Sequence, residues 1–237
     1  MRQKNVKIYR AVRYYQIRAY LRLGILILAC LLALFGLMSY WAQYTGTFVI
    51  SLDKESRSGL SVCETSDFLN PTSMLHAQAK KNIHPIEYTS VPIQQITATD
   101  GNSDVRNCFG FTYYLKNVGE TVVDVGVNIM QEGATVNLDK CSRILVCQDD
   151  QIIGVFKTTD NYIDANDKTP PDLYKQYYGI NVYAYNIYKL YPGDVVKFTV
   201  IIWVEGWDID CTDDKIGGSV QYNMTIGIIK YYNENEI

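Results

Sequence analysis

Residues 23–42, LGILILACLLALFGLMSYWA, carry no charge over twenty consecutive positions. An α-helix rises about 1.5 Å per residue, so the run reaches ~30 Å, the depth of the hydrocarbon layer of a bilayer. Inside a soluble chain such a run would need a large core around it, and the rest of this chain is polar. It therefore reads as one membrane-spanning helix. Seven basic residues stand before it (Arg2, Lys4, Lys7, Arg10, Arg13, Arg18 and Arg22), and the first carboxylate is Asp53. That imbalance predicts a cytoplasmic N-terminus and an exterior C-terminal part. Tyr40, Trp41 and Tyr44 fall where interfacial rings are favoured. The apolar run is longer than the roughly 7–15 residues of a signal peptide, and Tyr40-Trp41-Ala42 is a poor small-x-small cleavage site. The expectation is an uncleaved anchor; the competing reading is processing nearby by a specialised signal peptidase.

This partition gives three parts: a basic cytoplasmic segment, 1–22; a transmembrane helix, 23–42; and an extracytoplasmic domain, 43–237. Residues 5–22 read as a basic helix against anionic headgroups, with a cytoplasmic docking site as the sharper alternative. The chain beyond residue 52 has a net charge of -10, which argues against nucleic acid as a partner.

The outer part shows little helical periodicity. Short β-branched and aromatic runs alternate with Gly, Asn, Asp and Pro, predicting strands over 47–52, 93–99, 109–116, 121–130, 143–147, 152–156, 180–188, 194–205 and 219–230. Residues 117–120 read as a turn, 148–151 as a hairpin loop, 53–75 and 157–173 as polar connections, and 77–82 as a short helix. In VVKFTVIIWVE, Val196, Phe198, Val200, Ile202 and Val204 share one face, with Lys197, Thr199 and Glu205 on the other. With no βαβ alternation, the fold class is mainly β: an antiparallel β-sandwich, jelly-roll-like, after one N-terminal transmembrane helix. A barrel is the alternative.

The chemistry-bearing residues are few. His76 and His84 lie in one loop region and read as ordinary loop residues, and HExxH, GxSxG and GxxxxGK[ST] are all absent. The expectation is not an enzyme, with no catalytic residue and no cofactor. Glu205, Asp208, Asp210, Asp213 and Asp214 crowd five carboxylates into ten positions, a composition calcium favours, although the spacing is not that of an EF-hand. The bland reading is a solvated loop with Asp side chains capping turns. Of 20 tyrosines, seven fall between Tyr174 and Tyr191. Tyr174, Tyr177, Tyr178, Tyr183 and Tyr185 are candidates for partner binding, against the alternative that they pack within a sheet.

Cys30 sits within the apolar run. Cys63, Cys108, Cys141, Cys147 and Cys211 fall outside it, where disulfides persist. Of the fifteen possible arrangements of two bridges and one odd thiol, Cys141 with Cys147 is the favoured pair, bracing the start of a hairpin. Reduced, buried thiols are the alternative; zinc is disfavoured because no CxxC pair occurs.

The block PGDVVKFTVIIWVEGWDIDCTDDKIGGSVQYNM resembles the closing motif of uncharacterised membrane-anchored proteins of Gram-positive bacteria and their wall-less relatives. FTYYLKNVGETVVDVGVNI and NLDKCSRILVCQDDQIIGVF resemble the matching upstream strands, so the likeness covers residues 109–230. That group in turn is distantly similar to the TasA/camelysin family, secreted β-sandwich proteins that build biofilm matrix fibres. The resemblance implies the fold and a surface location. It implies no active site: camelysin is described as a metalloprotease, but none of its catalytic motifs maps to a residue here. TasA-type chains carry a cleavable signal, unlike the anchor expected here. The functional expectation is a membrane-anchored surface protein for structure or interaction, related to adhesion or matrix, with the lipid bilayer and other surface proteins or itself as partners. The alternatives are an accessory subunit of a membrane complex and an extracellular hydrolase.

Overall fold

Leu, Ile and Ala dominate residues 20–36 and no Pro interrupts them, so straight-chain apolar side chains form one helix, α1. The computed structural model describes residues 18, 20–36, 48–158 and 165–233, and the chain divides into two units, Met1–Thr45 and Gly46–Ile237. Every described residue of α1 is exposed. Among the described residues no helix is long and apolar enough to cross a membrane. The expected span 23–42 is helical over 23–36, and its remainder, with Tyr40, Trp41 and Tyr44, lies outside the described residues. Most of the basic segment 1–22 lies outside them too.

The second unit is built from twelve strands among the described residues: β1 Phe48–Leu52, β2 Leu60–Cys63, β3 Met74–Ala77, β4 Gly101–Asn102, β5 Cys108–Asn117, β6 Val123–Ala134, β7 Ser142–Gln148, β8 Gln151–Thr158, β9 Tyr174–Tyr177, β10 Asn181–Leu190, β11 Val195–Val204 and β12 Val220–Tyr231. They form two sheets, ordered β10-β6-β12-β1-β3 and β2-β5-β11-β7-β8-β9, with β4 beside β5. Pairing is antiparallel except for β1 with β12 and β8 with β9, two parallel pairs that correct a purely antiparallel reading. The inner faces meet in one core of Ile50, Phe111, Tyr113, Val125, Val127, Ile144, Phe198, Met224 and their neighbours. Two sheets face to face around one apolar layer make a β-sandwich.

Turn chemistry sets the register. Asp149 and Asp150 both take positive φ (49° and 65°) in the two-residue β7–β8 connection, a pairing that matches strand twist. Asn117 organises the β5–β6 turn: its Nδ2 donates to the Thr121 and Leu190 carbonyls at 2.9 Å each, and its Oδ1 accepts the Gly119 amide at 2.9 Å.

The segment expected as a strand over 93–99 is instead a short helix, α2 Ile93–Thr97, with Pro92 at its N-terminal end. Its one buried residue, Ile96, lies over Gly110 of β5. A helix is not formed over 77–82: Ala77 pairs with Phe48 at the end of β3, and the next amide, Gln78 N, donates to Asn102 Oδ1 at 2.8 Å. The connection expected over 53–75 contains β2 and the start of β3.

Both faces of β11 are covered. Val196, Phe198 and Val200 enter the inter-sheet core as expected. The opposite face carries Ile201 and Trp203, which join Leu145, Cys147, Val155, Cys108, Val91, Val105 and Ile96 in a second core. This outer core is roofed by the segment that carries Val91, α2 and Val105, and Thr199 and Glu205 on the same face of β11 are buried as well.

Candidate functional site

Side chains alternate along a strand, so residues two apart share a face. On β7, Ile144 and Val146 point into the inter-sheet core, which leaves Arg143, Leu145 and Cys147 on the outer face. Arg143 lies opposite Trp203 of β11, and Ile144 lies opposite Phe156 of β8. On β8 the outer residues are Val155 and, two further on, Lys157. Trp203, Arg143 and Lys157 thus form a row across three adjacent strands. Glu205 follows Trp203 by two and falls on the same face.

Two loops close over this row. The loop after β11 brings Asp208 inward, where its Oδ2 accepts from Arg143 Nη2 at 2.6 Å and lies 2.7 Å from Lys157 Nζ. The loop before β9 brings Asp167 to 3.3 Å from the same guanidinium nitrogen. Tyr174 bridges the two, its hydroxyl accepting from Arg143 Nε at 3.0 Å and donating to Asp167 Oδ2 at 2.8 Å. The charged side chains are closed off from water, at 1% to 3% exposed. Each carboxylate also caps its own loop: Asp208 Oδ1 accepts the Asp210 amide and Asp167 Oδ1 the Thr169 amide, both at 2.9 Å. Glu205 is occupied by neutral donors, the Trp203 indole N–H at 3.1 Å and the Trp207 amide at 3.3 Å.

These surroundings set the charge states. Burial alone would raise the Asp208 carboxyl, but Lys157 and Arg143 together hold it below the usual carboxylate range. Asp167 is likewise held low against its burial, by the Thr169 amide, Tyr174 and Arg143. Burial also works against the Arg143 charge, and the neighbouring Tyr174 and Asp208 more than restore it. Glu205 goes the other way: burial lifts it, and the Trp203 indole only partly offsets that. The centre is thus two cations neutralised by two carboxylates, beside a carboxyl that burial shifts upward. Such a charge-balanced, water-excluded cluster clamps the 165–173 and 205–211 loops to the sheet.

The five carboxylates expected to hold calcium do not converge. Glu205 and Asp208 turn inward to separate partners. Asp213 and Asp214 face out, and Asp214 is engaged by Lys215 at 2.7 Å and by the Thr212 hydroxyl; Asp210 is half-buried. Among the described residues no group of three His, Cys, Asp or Glu is placed to hold a metal ion.

The five tyrosines also separate. Tyr177 and Tyr183 lie in the inter-sheet core, and Tyr174 belongs to the cluster, so these three are structural. Tyr178 and Tyr185 are exposed, at 74% and 39%. Tyr183 enters the core beside Val182 at a register shift in the β10–β6 pairing, Tyr185 two positions on stacks against its ring with centroids 6.0 Å apart, and the turn between β9 and β10 releases Tyr178.

Cys141 and Cys147 cannot bridge. They bracket one extended strand, and six residues at ~3.3 Å put them about 20 Å apart, far beyond disulfide reach. All six cysteines are free. Burial pushes the Cys147 thiol up to about 12 and the Cys108 thiol to about 11, as expected of inert core thiols.

Arg143, Lys157 and Asp167 were not singled out by sequence reasoning. The available signal was charge at outward positions of otherwise apolar strands, SRILVCQ and QIIGVFKT, which reads as a solvated face until a covering layer is known.

No protein-family profile matches the chain, and no curated protein matches it. Among solved structures, two crystal structures of beta-glucosidase from Kluyveromyces marxianus align weakly. The complex with glucose has a TM-score of 0.23 at 14% identity, covering 82% of this chain and 18% of the enzyme. The selenomethionine-labelled form has a TM-score of 0.24 at 12% identity, covering 75% and 16%. This chain spans less than a fifth of those enzymes, and alignments at this level carry no argument about its fold or activity.

Proposed function

We propose that this chain is a membrane-anchored protein whose β-sandwich, jelly-roll-like in the way its strands pass between sheets, stands outside the cell as an interaction or structural module rather than an enzyme. The observation that carries the reading is α1. From Leu23 to Phe35 its side chains are apolar all round, Leu23, Leu26, Leu28, Leu32 and Phe35 among them, and each of these five is more than half exposed. A helix apolar on every side needs an apolar surrounding, and lipid supplies one. The charge contrast across it sets the direction, and the likeness of the C-terminal motif to membrane-anchored surface proteins supports the same placement. The reading of a binding rather than a catalytic module rests on the charge cluster, whose charged groups pair with one another out of contact with water. Tyr178 and Tyr185 are the proposed contact residues for a protein partner or a second copy.

The test uses the full chain in its own membrane, tagged at each end. Alkaline carbonate should leave the protein in the pellet, and protease added to intact cells should remove the C-terminal tag while sparing the N-terminal one. Extraction into the carbonate supernatant, or the reverse digestion pattern, would overturn the placement.

A further inference from the structure

The loop that delivers Asp208 also delivers a thiol. Cys141 stands immediately before β7, buried and with its Sγ 3.5 Å from the Leu138 carbonyl. Its own carbonyl accepts the Glu205 amide at 2.9 Å, which fixes the start of β7 against the end of β11. From Glu205 the chain makes two successive turns, Asp208 N to Glu205 O at 3.3 Å and Cys211 N to Asp208 O at 2.9 Å. These turns keep Cys211 two tight turns from Glu205, whose amide is bonded to the Cys141 carbonyl. The continuation packs there too: a Cβ on Gly218 would lie 2.6 Å from Val136 and 3.3 Å from Leu138, the residues leading into Cys141.

We propose that Cys141 and Cys211, 70 positions apart in the chain, are a redox pair that closes into a disulfide stapling the 205–218 loop to the sheet. The electrostatics agree with the juxtaposition. Burial lifts the Cys141 thiol to about 12, and Cys211 is the next influence upon it; burial also lifts Cys211, and a hydrogen bond from Cys141 partly restores it. Cys211 is half-exposed, so it is the thiol an oxidant reaches first. Its thiolate attacks a low-molecular-weight disulfide such as oxidised glutathione, forming a mixed disulfide and releasing one thiolate. The Cys141 thiolate then attacks the Cys211 sulfur and releases the second. Two protons leave the protein, two electrons pass to the oxidant, and the oxidant becomes two thiols. The proposal rests on the exterior placement above only for its occurrence in the cell, because an oxidising compartment maintains such a bond.

The experiment takes the full chain, purified in detergent under reduction, and treats it with oxidised glutathione. Non-reducing peptide mass spectrometry should find the peptides of Cys141 and Cys211 joined, two hydrogens lighter than their sum. The oxidised protein should melt about 5–10 °C above the reduced one. That gap should vanish in Cys211→Ser, which removes the more exposed partner and spares the buried one, and persist in Cys147→Ser. Both thiols remaining open to alkylation after oxidation, or a link to any other cysteine, would overturn the pairing. A link in the purified chain with free thiols in alkylated whole cells upholds the pairing and counts against the exterior placement alone.

Discussion

Removing the Asp208 carboxylate is the most demanding perturbation of this fold, and its size follows from the distances. Its Oδ2 lies 2.6 Å from Arg143 Nη2 and 2.7 Å from Lys157 Nζ. At an effective dielectric constant of ~20, each contact is worth about 6 kcal/mol of gross attraction. Most of that offsets the several kcal/mol per ion lost when the charges leave water. The surplus is therefore modest while the cluster is whole. Asp208→Ala destroys the balance without restoring hydration: two cations remain beneath the loop with Asp167 as the one carboxylate still paired to Arg143. Breaking buried pairs in this way costs about 3–5 kcal/mol. The Asp210 amide loses its acceptor as well, which adds ~1 kcal/mol. In a domain of this size each kcal/mol moves the melting temperature by about 2–4 °C, so the expected fall is roughly 8–24 °C.

Urea unfolding of the full chain in detergent, followed by tryptophan fluorescence, reads this directly, because Trp203 is buried beside Arg143. The midpoint should fall with the slope unchanged. A double variant, Lys157→Met with Asp208→Leu, keeps the Arg143–Asp167 pair neutral and replaces the other pair by apolar groups. It should be more stable than Asp208→Ala, since exchanging a buried ion pair for hydrophobic packing is often neutral. A loss below ~1 kcal/mol for Asp208→Ala, or a double variant less stable than the single, would refute the reasoning that charge balance, rather than the loop's own turns, holds the cluster closed.

Other expectations are simpler to state. Asp208 and Asp167 are held low in the fold, so their contribution is complete above the unfolded carboxylate range, near pH ~4, and is lost as pH falls through their folded values; acid unfolding of the wild type should be steep there and flatter in Asp208→Ala. Glu205 has the opposite sign: its folded value is raised, so stability declines as pH rises through the interval above 4.5, and Glu205→Gln should remove that decline at a cost of ~1 kcal/mol for one of its two accepted bonds. Gly110→Ala should destabilise by about 1–3 kcal/mol in the same assay, because the new Cβ would sit 2.6 Å from the fully buried Ile96 side chain. Tyr178→Ser should leave the unfolding midpoint unchanged while weakening capture of the partner in crosslinked cell membranes; a shifted midpoint would mean the ring is packed after all.

The strands that could be read in advance were those whose apolar face alternates over many residues, such as β5, β11 and β12. Period two is explicit in FVISL, CFGFTYY and VVKFTVIIWV, and the long strands fell within one to four residues of their expected ends. Short elements were legible only through their partners. Nothing local in MLHA distinguishes an edge strand from a loop; its pairing with β1 makes it one. IQQIT has the β-branched content of a strand, yet Pro92 and the shallow floor over Gly110 favour one helical turn with Ile96 pointing down. The charge cluster was unreadable for the same reason. Period-two reasoning assigns Arg143 and Lys157 to an outer face, correctly, but the identity of the cover depends on loops whose conformation no periodicity specifies.

The acidic segment after β11 shows how composition can mislead where topology decides. Read as a list of carboxylates, EGWDIDCTDD resembles a cation loop. Read in the fold, it is a sequence of inward and outward positions. Trp203 ends the strand on the outer face and has an indole N–H that must be satisfied once covered, and Glu205, two residues on, is the nearest acceptor on that face. Gly206 and Trp207 pass along the surface, and the indole of Trp207 reaches Glu87 at 3.3 Å. Asp208 turns back in because two cations wait there without enough negative charge. Cys211 follows one turn later, its amide bonded to the Asp208 carbonyl. If the segment were a metal loop, its acids would be interchangeable oxygen donors. Instead Glu205 needs neutral donors and Asp208 needs cations, so exchanging their roles fails on charge; of the three acidic residues that remain, Asp210 is half-buried and Asp213 and Asp214 are left in water.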